Sequence, residues 1–132
     1  MSRTLADIMA TRLVTFSSEA NIHEAIHVLL SKRLSGAPVL DKDGQLVGML
    51  SKKDCLKVVF STAYYQDRGG PVSEYMSRDV KTLDADLDLV SAAQHFLETP
   101  FRRFPILRDG QLVGQVSRHD ILEALIKDQT QA

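Results

Sequence analysis

The same stretch of sequence occurs twice in this chain. The hexapeptide Asp-Gly-Gln-Leu-Val-Gly at residues 43–48 recurs letter for letter at residues 109–114. Other identities extend the match in both directions: Ser51, Asp54 and Leu56 recur 66 residues later, and Met9, Thr15, Ala25, Leu30, Pro38 and Leu40 recur 67 residues later. The offset changes just before Asp43, where the first copy carries one extra turn residue. A register held over this length predicts two copies of one structural unit.

The first half of each copy predicts a short strand followed by a helix. In the first copy, a helical turn near Asp7 precedes an extended stretch at residues 13–16. Asn21 is a good helix N-cap, and Glu24 three residues later completes a capping box. Apolar residues then follow at helical spacing: Ile22, Ala25, Ile26, Leu29 and Leu30. Gly36 is predicted to end this helix.

The second half of each copy predicts a β-hairpin and a second helix. Two apolar runs, at residues 37–40 and 45–50, flank the dipeptide Asp43-Gly44. Asp-Gly is typical of hairpin turns, because both central residues often need a positive φ. The second helix is predicted to begin at Ser51. The order strand, helix, strand, strand, helix indicates the α/β (α+β) fold class, with two pseudo-symmetric β-α-β-β-α units.

The size of one copy explains why two are needed. A unit of about 60 residues with two or three short strands buries little apolar area by itself. The two copies are therefore predicted to pack sheet to sheet and to share one core. The predicted boundaries are 1–60 for the first unit, 61–71 for a linker and 72–132 for the second unit.

Composition excludes several classes of function. Sixteen Lys and Arg against seventeen Asp and Glu give a formal net charge of −1, which argues against the basic excess of a nucleic-acid binder. Cys55 is the only cysteine, so no intramolecular disulfide is available, and it is predicted to be a buried or half-buried apolar thiol. No stretch approaches the roughly 18 apolar residues of a membrane span. The protein is predicted to be cytoplasmic, with no nucleic-acid and no membrane partner.

The end of the hairpin and the start of the second helix carry the most chemistry in each copy. Gly48 is followed by Ser51-x-x-Asp54, and Gly114 is followed by Ser117-x-x-Asp120. One interpretation is structural, with the serine as N-cap and the aspartate completing a capping box. The other is a binding site, because a helix N-terminus presents free amides and a positive dipole that suit a phosphate.

The binding interpretation combines several residue types. The serine hydroxyls can donate to a phosphate, and Lys52, Arg118 and their neighbours can add positive charge. A carboxylate one turn into the helix can accept hydrogen bonds from both hydroxyls of a ribose. Gly48 and Gly114 lack a Cβ, so a ligand or another backbone can approach closely there. Together these features indicate a nucleotide site.

The duplicated Gly-x-x-Ser-x-x-Asp pattern, in this order and spacing, resembles the cystathionine β-synthase (CBS) domain in the tandem pair called a Bateman module. The resemblance covers almost the whole chain, from about Thr4 to Ile126. It implies binding of adenosine compounds in clefts between the two sheets. The implied ligands are AMP, ADP or ATP, with or without magnesium, with S-adenosylmethionine as a further option.

The resemblance also assigns nucleotide-binding positions in each copy. These are Thr15, Ala37, Pro38, Ser51, Lys52 and Asp54 in the first copy, and Thr82, Arg103, Phe104, Pro105, Ser117, Arg118 and Asp120 in the second. By resemblance, the aspartates hold ribose hydroxyls, the serines contact phosphate, the threonines line the adenine end, and the prolines and the apolar residues before them wall the base. Arg103 matches a basic residue that reaches phosphate, whereas the first copy has Gly36 there.

These expectations describe a stand-alone regulatory or sensor module and not an enzyme, with no catalytic residue, no metal site and no cofactor apart from its ligand. Its output must then be a change of shape or assembly felt by an effector protein that the sequence does not name. A homodimer is expected through the helices that begin at Ser51 and Ser117, using apolar side chains on them: Leu56, Val59, Ile121, Leu122 and Leu125. The alternative is a structural or protein-interaction module without a ligand.

A zinc hydrolase is a remote alternative. His23-Glu24-Ala25-Ile26-His27 matches the H-E-x-x-H signature, which on a helix places two zinc ligands on one face. Glu24 is already assigned to the capping box, and the corresponding positions of the second copy are Val90 and Gln94. The sequence indicates no third ligand, so zinc chemistry is not expected.

Overall fold

The computed structural model describes residues 3–65 and 69–130, and for residues 62–65 it describes the backbone alone. Its elements in chain order are α1 (Leu5–Ile8), β1 (Phe16–Ser17), α2 (Ile22–Ser31), β2 (Gly36–Leu40), β3 (Leu46–Ser51), α3 (Lys52–Tyr65), a 3-10 turn (Val72–Glu74), β4 (Leu83–Asp84), α4 (Leu89–Glu98), β5 (Arg103–Arg108), β6 (Gln111–Ser117) and α5 (Arg118–Thr130). They form two compact units: the first unit is Val14–Val80, and the second unit combines Met1–Leu13 with Lys81–Ala132. Each unit contains the predicted order β-α-β-β-α. Residues 66–68 of the predicted linker lie outside the described residues.

The first unit contains a three-stranded sheet in the order β1-β2-β3. Strand β1 is parallel to β2, and β2 is antiparallel to β3. Asn21 caps α2 as predicted, because its side-chain oxygen accepts from the backbone N–H groups of His23 (2.8 Å) and Glu24 (3.3 Å). The core consists of Phe16, Ile22, Ala25, Leu29, Ala37, Val39, Leu50, Cys55, Val58, Val72 and Met76. The buried position of Cys55 is confirmed, and burial, assisted by the charge of Asp54, raises the pKa of its thiol.

The second unit repeats this arrangement with strands in the order β4-β5-β6. Asp88 caps α4: one carboxylate oxygen accepts from the Ser91 backbone N–H (3.1 Å) and the other from the Ser91 hydroxyl (2.6 Å). The Ser91 hydroxyl holds the pKa of Asp88 below its ordinary value, and the Ser91 backbone N–H adds to this effect. The core consists of Leu5, Leu83, Ala85, Leu89, Ala92, Phe96, Phe104, Ile106, Val116, Ile121 and Ala124.

Each unit is completed by a segment from the start of the other repeat. Residues 4–10 belong to the second unit, where Ala10 and Gln115 exchange backbone hydrogen bonds of 2.9 and 3.0 Å. Residues 72–77 belong to the first unit, where Ser77 and Met49 exchange two backbone hydrogen bonds of 2.9 Å. We call residues 4–10 and 72–77 the arms. The compact units therefore do not coincide with the sequence repeats, although the repeats predict the same elements.

The two glycines before the serine motifs accommodate the arms. A Cβ at Gly48 would lie 2.5 Å from Met76 Sδ and 2.8 Å from the Ser77 carbonyl oxygen. A Cβ at Gly114 would overlap the Met9 side chain and lie 3.0 Å from the Ala10 carbonyl oxygen. The sequence predicted that either a ligand or another backbone approaches these glycines. The structure shows the backbone of an arm at both.

The identical Asp-Gly dipeptides form two different turns. In the second unit, Asp109 and Gly110 both have positive φ (52° and 80°), which matches a two-residue hairpin turn. In the first unit only Gly44 of the pair has positive φ (80°), and the Asp41 N–H donates to the Gln45 carbonyl oxygen at 2.9 Å. The extra residue in the first copy lengthens the loop, so the same letters adopt a different conformation.

The prediction that Gly36 ends the first long helix is wrong. Helix α2 ends at Ser31, and Arg33 takes the left-handed conformation (φ 55°) that glycine usually supplies. The N–H of Leu34 donates to the Leu29 carbonyl oxygen (2.9 Å), which closes the helix end. Gly36 instead begins β2. Within the part of the chain that is described, no helix has the length and apolar character needed to cross a membrane.

Candidate functional site

The predicted site residues of the first unit gather at one end of its sheet. Gly36 pairs with Ser51 and Pro38 pairs with Met49 across the β2–β3 ladder. Thr15 precedes Phe16, which pairs with Val39, so Thr15 lies beside Pro38. Because side chains alternate along a strand, these residues share the sheet face opposite the core. We call this surface the site face of the first unit: Thr15, Gly36, Pro38, Met49 and Ser51.

The second unit has an equivalent surface. Arg103 pairs with Ser117 and Pro105 pairs with Gln115 across the β5–β6 ladder. Thr82 precedes Leu83, which pairs with Ile106, so Thr82 lies beside Pro105. The site face of the second unit is Thr82, Arg103, Pro105, Gln115 and Ser117. Arg103 thus lies directly opposite the serine of the Ser-x-x-Asp motif in the same unit.

Two predicted site residues point away from these faces. Ala37 and Phe104 are buried in the cores of their units, at 1% exposure each. The Phe104 ring lies 4.7 Å from the Phe96 ring and 5.9 Å from the Phe101 ring, centroid to centroid. A ligand on the site face can therefore meet only the backbone at these two positions, and the prolines next to them, Pro38 and Pro105, are buried as well.

Both Ser-x-x-Asp motifs form reciprocal capping boxes. Asp54 accepts from the Ser51 backbone N–H (2.9 Å), and the Asp54 N–H donates to the Ser51 hydroxyl oxygen (3.1 Å). Ser117 and Asp120 show the same pair of distances. In each box only Oδ2 of the carboxylate is engaged by the residues that the structure describes, so Oδ1 remains available to another partner.

The boxes differ in the serine hydroxyl. In the first unit the Ser51 hydroxyl also donates to Asp54 Oδ2 at 2.9 Å, so its proton is used within the box. The Ser117 hydroxyl shows no such bond to any described residue, and its proton is available to an acceptor. The second unit is therefore better prepared to donate to a phosphate oxygen.

The helix N-termini offer fewer free amides than the sequence suggested. The first helical N–H of α3, from Lys52, donates to the Ser35 carbonyl oxygen (2.9 Å), and that of α5, from Arg118, donates to the Arg102 carbonyl oxygen (3.0 Å). The third amide of each helix is taken by the serine hydroxyl. Among the described contacts, only the Lys53 and His119 amides of the first turns remain for a ligand, so charged side chains must supply most of any anion binding.

Those charged side chains are concentrated in the second unit. Arg103 is exposed and has no hydrogen-bond or ion-pair partner among the described residues. Arg118 is held in place because its Nε donates to the Phe101 carbonyl oxygen at 3.0 Å. The first unit has the exposed Lys52 near its box, and Gly36 at the position of Arg103.

A small cavity in the second unit also borders Asp120. Its volume is about 130 Å³, and it is lined by Arg3, Ile8, Asp120, Glu123, Ala124 and Lys127. Arg3 is already engaged, since it donates to Asp128 (2.7 Å) and to the Ala124 carbonyl oxygen (3.2 Å). Small-molecule sites usually occupy about 300–1,000 Å³. The cavity suits a few waters and is too small for a nucleotide.

The H-E-x-x-H motif lies on α2, away from these surfaces in the chain. His23 is half-buried and His27 is exposed on the helix that Asn21 caps. Across the described residues there is no cluster of three or more His, Cys, Asp and Glu side chains that could hold a metal ion. Neither histidine is therefore placed with a ligand set.

Sequence reasoning missed one polar residue on the site face. Gln115 occupies the position of Met49 in the first copy, and its side-chain nitrogen is buried without a hydrogen-bond partner among the described residues. The only signal available in the sequence was the exchange of an apolar for a polar residue between two aligned copies.

Comparison with known protein families decides what these paired surfaces belong to. The family model described as "CBS domain" matches the chain twice, over residues 5–61 and 72–127. The chain is a tandem pair of CBS domains. Both matches begin with an arm. The first match therefore starts with a segment that completes the second unit, and the second match starts with a segment that completes the first unit.

Curated relatives match this chain over very different shares of their own length. The CBS domain-containing protein YhcV of Bacillus subtilis is 31% identical over 118 residues, covering 89% of this chain and 82% of YhcV. The A-adding tRNA nucleotidyltransferase of Aquifex aeolicus is 33% identical over 122 residues, covering 92% of this chain but 14% of that enzyme. A Methanocaldococcus jannaschii protein, 27% identical, is covered over 45% of its length. The chain thus spans less than half of these last two relatives.

Solved structures show the same fold. CBSX2 of Arabidopsis thaliana superposes with a TM-score of 0.83 at 28% identity, covering 100% of both chains. A structure of CBSX2 in complex with AMP gives a TM-score of 0.82 at 29% identity, covering 96% of this chain and 98% of that one. The predicted family and the mixed α/β fold are confirmed.

Proposed function

We propose that this CBS pair is a regulatory sensor module that reversibly binds an adenine nucleotide on the site faces of its units. One observation carries the proposal: in both units, a threonine, a proline, a serine and an aspartate lie together at one end of the sheet. The complex of CBSX2 with AMP, at 29% identity, supports an adenosine ligand. AMP, ADP and ATP are the first candidates, and S-adenosylmethionine is a further one.

Each group on the site face has a chemical role in this proposal. Oδ1 of Asp54 and of Asp120 accepts hydrogen bonds from ribose hydroxyls, because Oδ2 is held in the capping box. Thr15, which is exposed, and Thr82, which is half-buried, line the adenine end, whereas Pro38 and Pro105 beside them are buried. Ser117 and Arg103 bind phosphate in the second unit, and Lys52 supplies charge in the first.

The proposed output is regulatory and not catalytic. Binding at a strand end and a helix start biases the position of α3 and α5, whose exposed apolar side chains are suited to a partner subunit. We propose a homodimer through these helices and an effector protein that responds to the liganded state.

The alternative is a ligand-free structural module. It is favoured by one specific observation: Oδ2 of both aspartates, the Ser51 hydroxyl proton and most first-turn amides are already used within the protein. The two functions predict different results in a binding experiment.

Calorimetric titration of the intact chain with AMP, ADP, ATP, adenosine and S-adenosylmethionine, with and without magnesium, tests the proposal. We expect binding of at least one adenosine compound. Asp120→Ala should weaken AMP and adenosine alike at the second-unit site, by roughly 10- to 100-fold for the loss of a charged hydrogen-bond acceptor. Its removal from the helix start also costs about 1 kcal/mol of stability.

Asp88→Ala is the matched control, because Asp88 caps α4 in the same unit but lies outside the site face. It should lose similar stability and keep wild-type affinity. No binding of any of these compounds by the wild-type protein would favour the structural module. Equal affinity in the Asp120 and Asp88 variants would remove Asp120 from the site.

A further inference from the structure

Each arm places a methionine against a glycine of the unit that it completes. Met9 of the arm 4–10 lies over Gly114, because its Sδ and Cγ are the atoms nearest to the position that a Cβ on Gly114 would take. Met76 of the arm 72–77 meets Gly48 in the same way. A flexible and polarisable thioether thus occupies the space that a missing side chain leaves. Both contacts lie within one compact unit.

The two methionines differ in their access to solvent. Met76 is 9% exposed and belongs to the core of the first unit. Met9 is half-buried and packs against the core of the second unit. A small oxidant in solution therefore reaches Met9 while the arm is docked, whereas Met76 must first be uncovered.

The thiol that would compete for an oxidant is protected. Cys55 is the only cysteine of the chain, and it is buried. Burial, assisted by the charge of Asp54, raises the pKa of its thiol, and the thiolate is the form that peroxides attack. A thioether has no proton to lose, so its reaction with a peroxide is governed by access alone. The half-buried Met9 is therefore a better target than the cysteine.

We propose that Met9 is a reversible oxidation site that controls the docking of the arm 4–10 on the second unit. The Met9 sulfur takes one oxygen atom from a hydroperoxide: the O–O bond breaks, an S–O bond forms, the sulfur loses two electrons, and water or an alcohol leaves. Methionine sulfoxide reductases return the thioether, with a dithiol supplying two electrons and the oxygen leaving as water. This inference goes beyond the proposed nucleotide site and does not depend on it.

Oxidation changes the character of the arm contact. A sulfoxide is polar and its oxygen requires a hydrogen-bond donor, whereas Met9 packs against a core of apolar side chains. The close approach to Gly114 leaves no room for an added atom between the sulfur and the strand. The arm is therefore loosened beside the point where Ala10 and Gln115 exchange their backbone hydrogen bonds.

Treatment of the intact chain with hydrogen peroxide tests the site. Peptide mass mapping should find the added oxygen on Met9 several times faster than on Met76. In the oxidised protein, hydrogen exchange at the Ala10 and Gln115 backbone amides should accelerate by about 10-fold or more, because their bonds open with the arm. Treatment with methionine sulfoxide reductases and a dithiol should restore the original rates.

Met9→Leu is the matched variant, because leucine keeps an apolar side chain of similar volume and has no sulfur. Peroxide should leave its exchange at Ala10 and Gln115 unchanged. Met49→Leu removes the other half-buried methionine of the described residues and should respond like the wild type. In that variant the Ser77 amide, which makes the equivalent arm bond in the first unit, should keep its rate after peroxide treatment.

Two results would overturn the inference. Oxidation of Met9 no faster than that of Met76 would remove Met9 as an accessible site. Fast oxidation with unchanged exchange at Ala10 and Gln115, or acceleration that persists in Met9→Leu, would show that this sulfur does not hold the arm. Neither result bears on nucleotide binding, which is measured by titration without peroxide.

Discussion

At the scale of single residues, the two copies differ most at one position. Arg103 and Gly36 occupy equivalent places at the start of a strand, each opposite the serine of its Ser-x-x-Asp motif. A Cβ at Gly36 would lie 2.7 Å from the Leu50 carbonyl oxygen, so the first unit cannot acquire an arginine there without a backbone shift. The charge difference between the two site faces is therefore built into the backbone of the first.

This difference predicts unequal phosphate binding. Arg103→Ala should weaken AMP and ATP by roughly 10- to 100-fold at the second-unit site, because a guanidinium–phosphate hydrogen bond contributes about 1.5–3 kcal/mol. Adenosine, which lacks a phosphate, should bind with nearly unchanged affinity. Titration calorimetry on each ligand measures the ratio.

Arg108→Ala is the control, since Arg108 lies on the same strand but pairs with Asp86 at 3.3 Å. It removes a positive charge from the unit without touching the site face. If Arg103→Ala lowers the affinity for adenosine and ATP by the same factor, Arg103 does not contact phosphate.

At the scale of elements, the sequence predicted the strand and helix order of both units, the two N-caps and the hairpins. These features depend on short-range patterns: apolar spacing, a capping residue, an Asp-Gly pair. The end of α2 was mispredicted because Arg33, and not Gly36, accepts the left-handed conformation. The residues near the site were found through the repeat, but sequence spacing did not show that Ala37 and Phe104 point into the cores.

The arms were beyond sequence reasoning for a physical reason. Identical repeats specify the same contacts in each copy, but they do not specify which copy supplies the partner. Met9 meets Gly114 and Met76 meets Gly48, although the pairing within one repeat would use the same residue types. Only the three-dimensional structure separates the two possibilities.

The contact between the arm and Gly114 predicts a loss of stability on substitution by alanine, which the low strand propensity of glycine alone would not predict. Alanine in a strand normally costs nothing relative to glycine, yet Gly114→Ala should destabilise the protein by about 1–3 kcal/mol, because the added methyl overlaps Met9. Met9→Ala alone should also destabilise, by loss of buried apolar surface. In the double variant the overlap is relieved, so its loss of stability should be smaller than the sum of the losses in the two single variants.

Urea denaturation of the three variants measures the coupling. Wild-type stability in Gly114→Ala, or strictly additive losses in the double variant, would contradict the arm packing.

At the scale of the whole molecule, two helices expose apolar side chains that the units do not use. On α3, Leu56 is 69% exposed and Val59 is 51% exposed, and on α5, Leu122 is 64% exposed. Of the residues expected at a dimer interface, Ile121 is excluded, because it is 4% exposed in the core of the second unit. Leu125 is half-buried and packs against that core. Helical spacing alone did not reveal which of these neighbours faces inwards.

We expect a homodimer at tens of micromolar, and Leu56→Glu with Leu122→Glu should shift it towards monomer, because a charge at a buried interface is unfavourable. Leu97→Glu is the matched control, since Leu97 is 87% exposed but lies on α4. Sedimentation or light scattering gives the molecular mass of each variant. A wild-type monomer with and without nucleotide, or an equal effect of Leu97→Glu, would contradict an interface on α3 and α5.

The arms have a consequence for how such a chain can arise. A polypeptide with a single repeat has an arm whose docking place, as seen here, is offered by another repeat. Two such polypeptides would complete each other by trading arms, as in domain-swapped dimers. When the two polypeptides are joined end to end, the docking of the arms becomes intramolecular. It then no longer depends on protein concentration. The covalent pair is therefore the smallest chain in which both arms find a docking place, and a gene for one repeat encodes an arm without one.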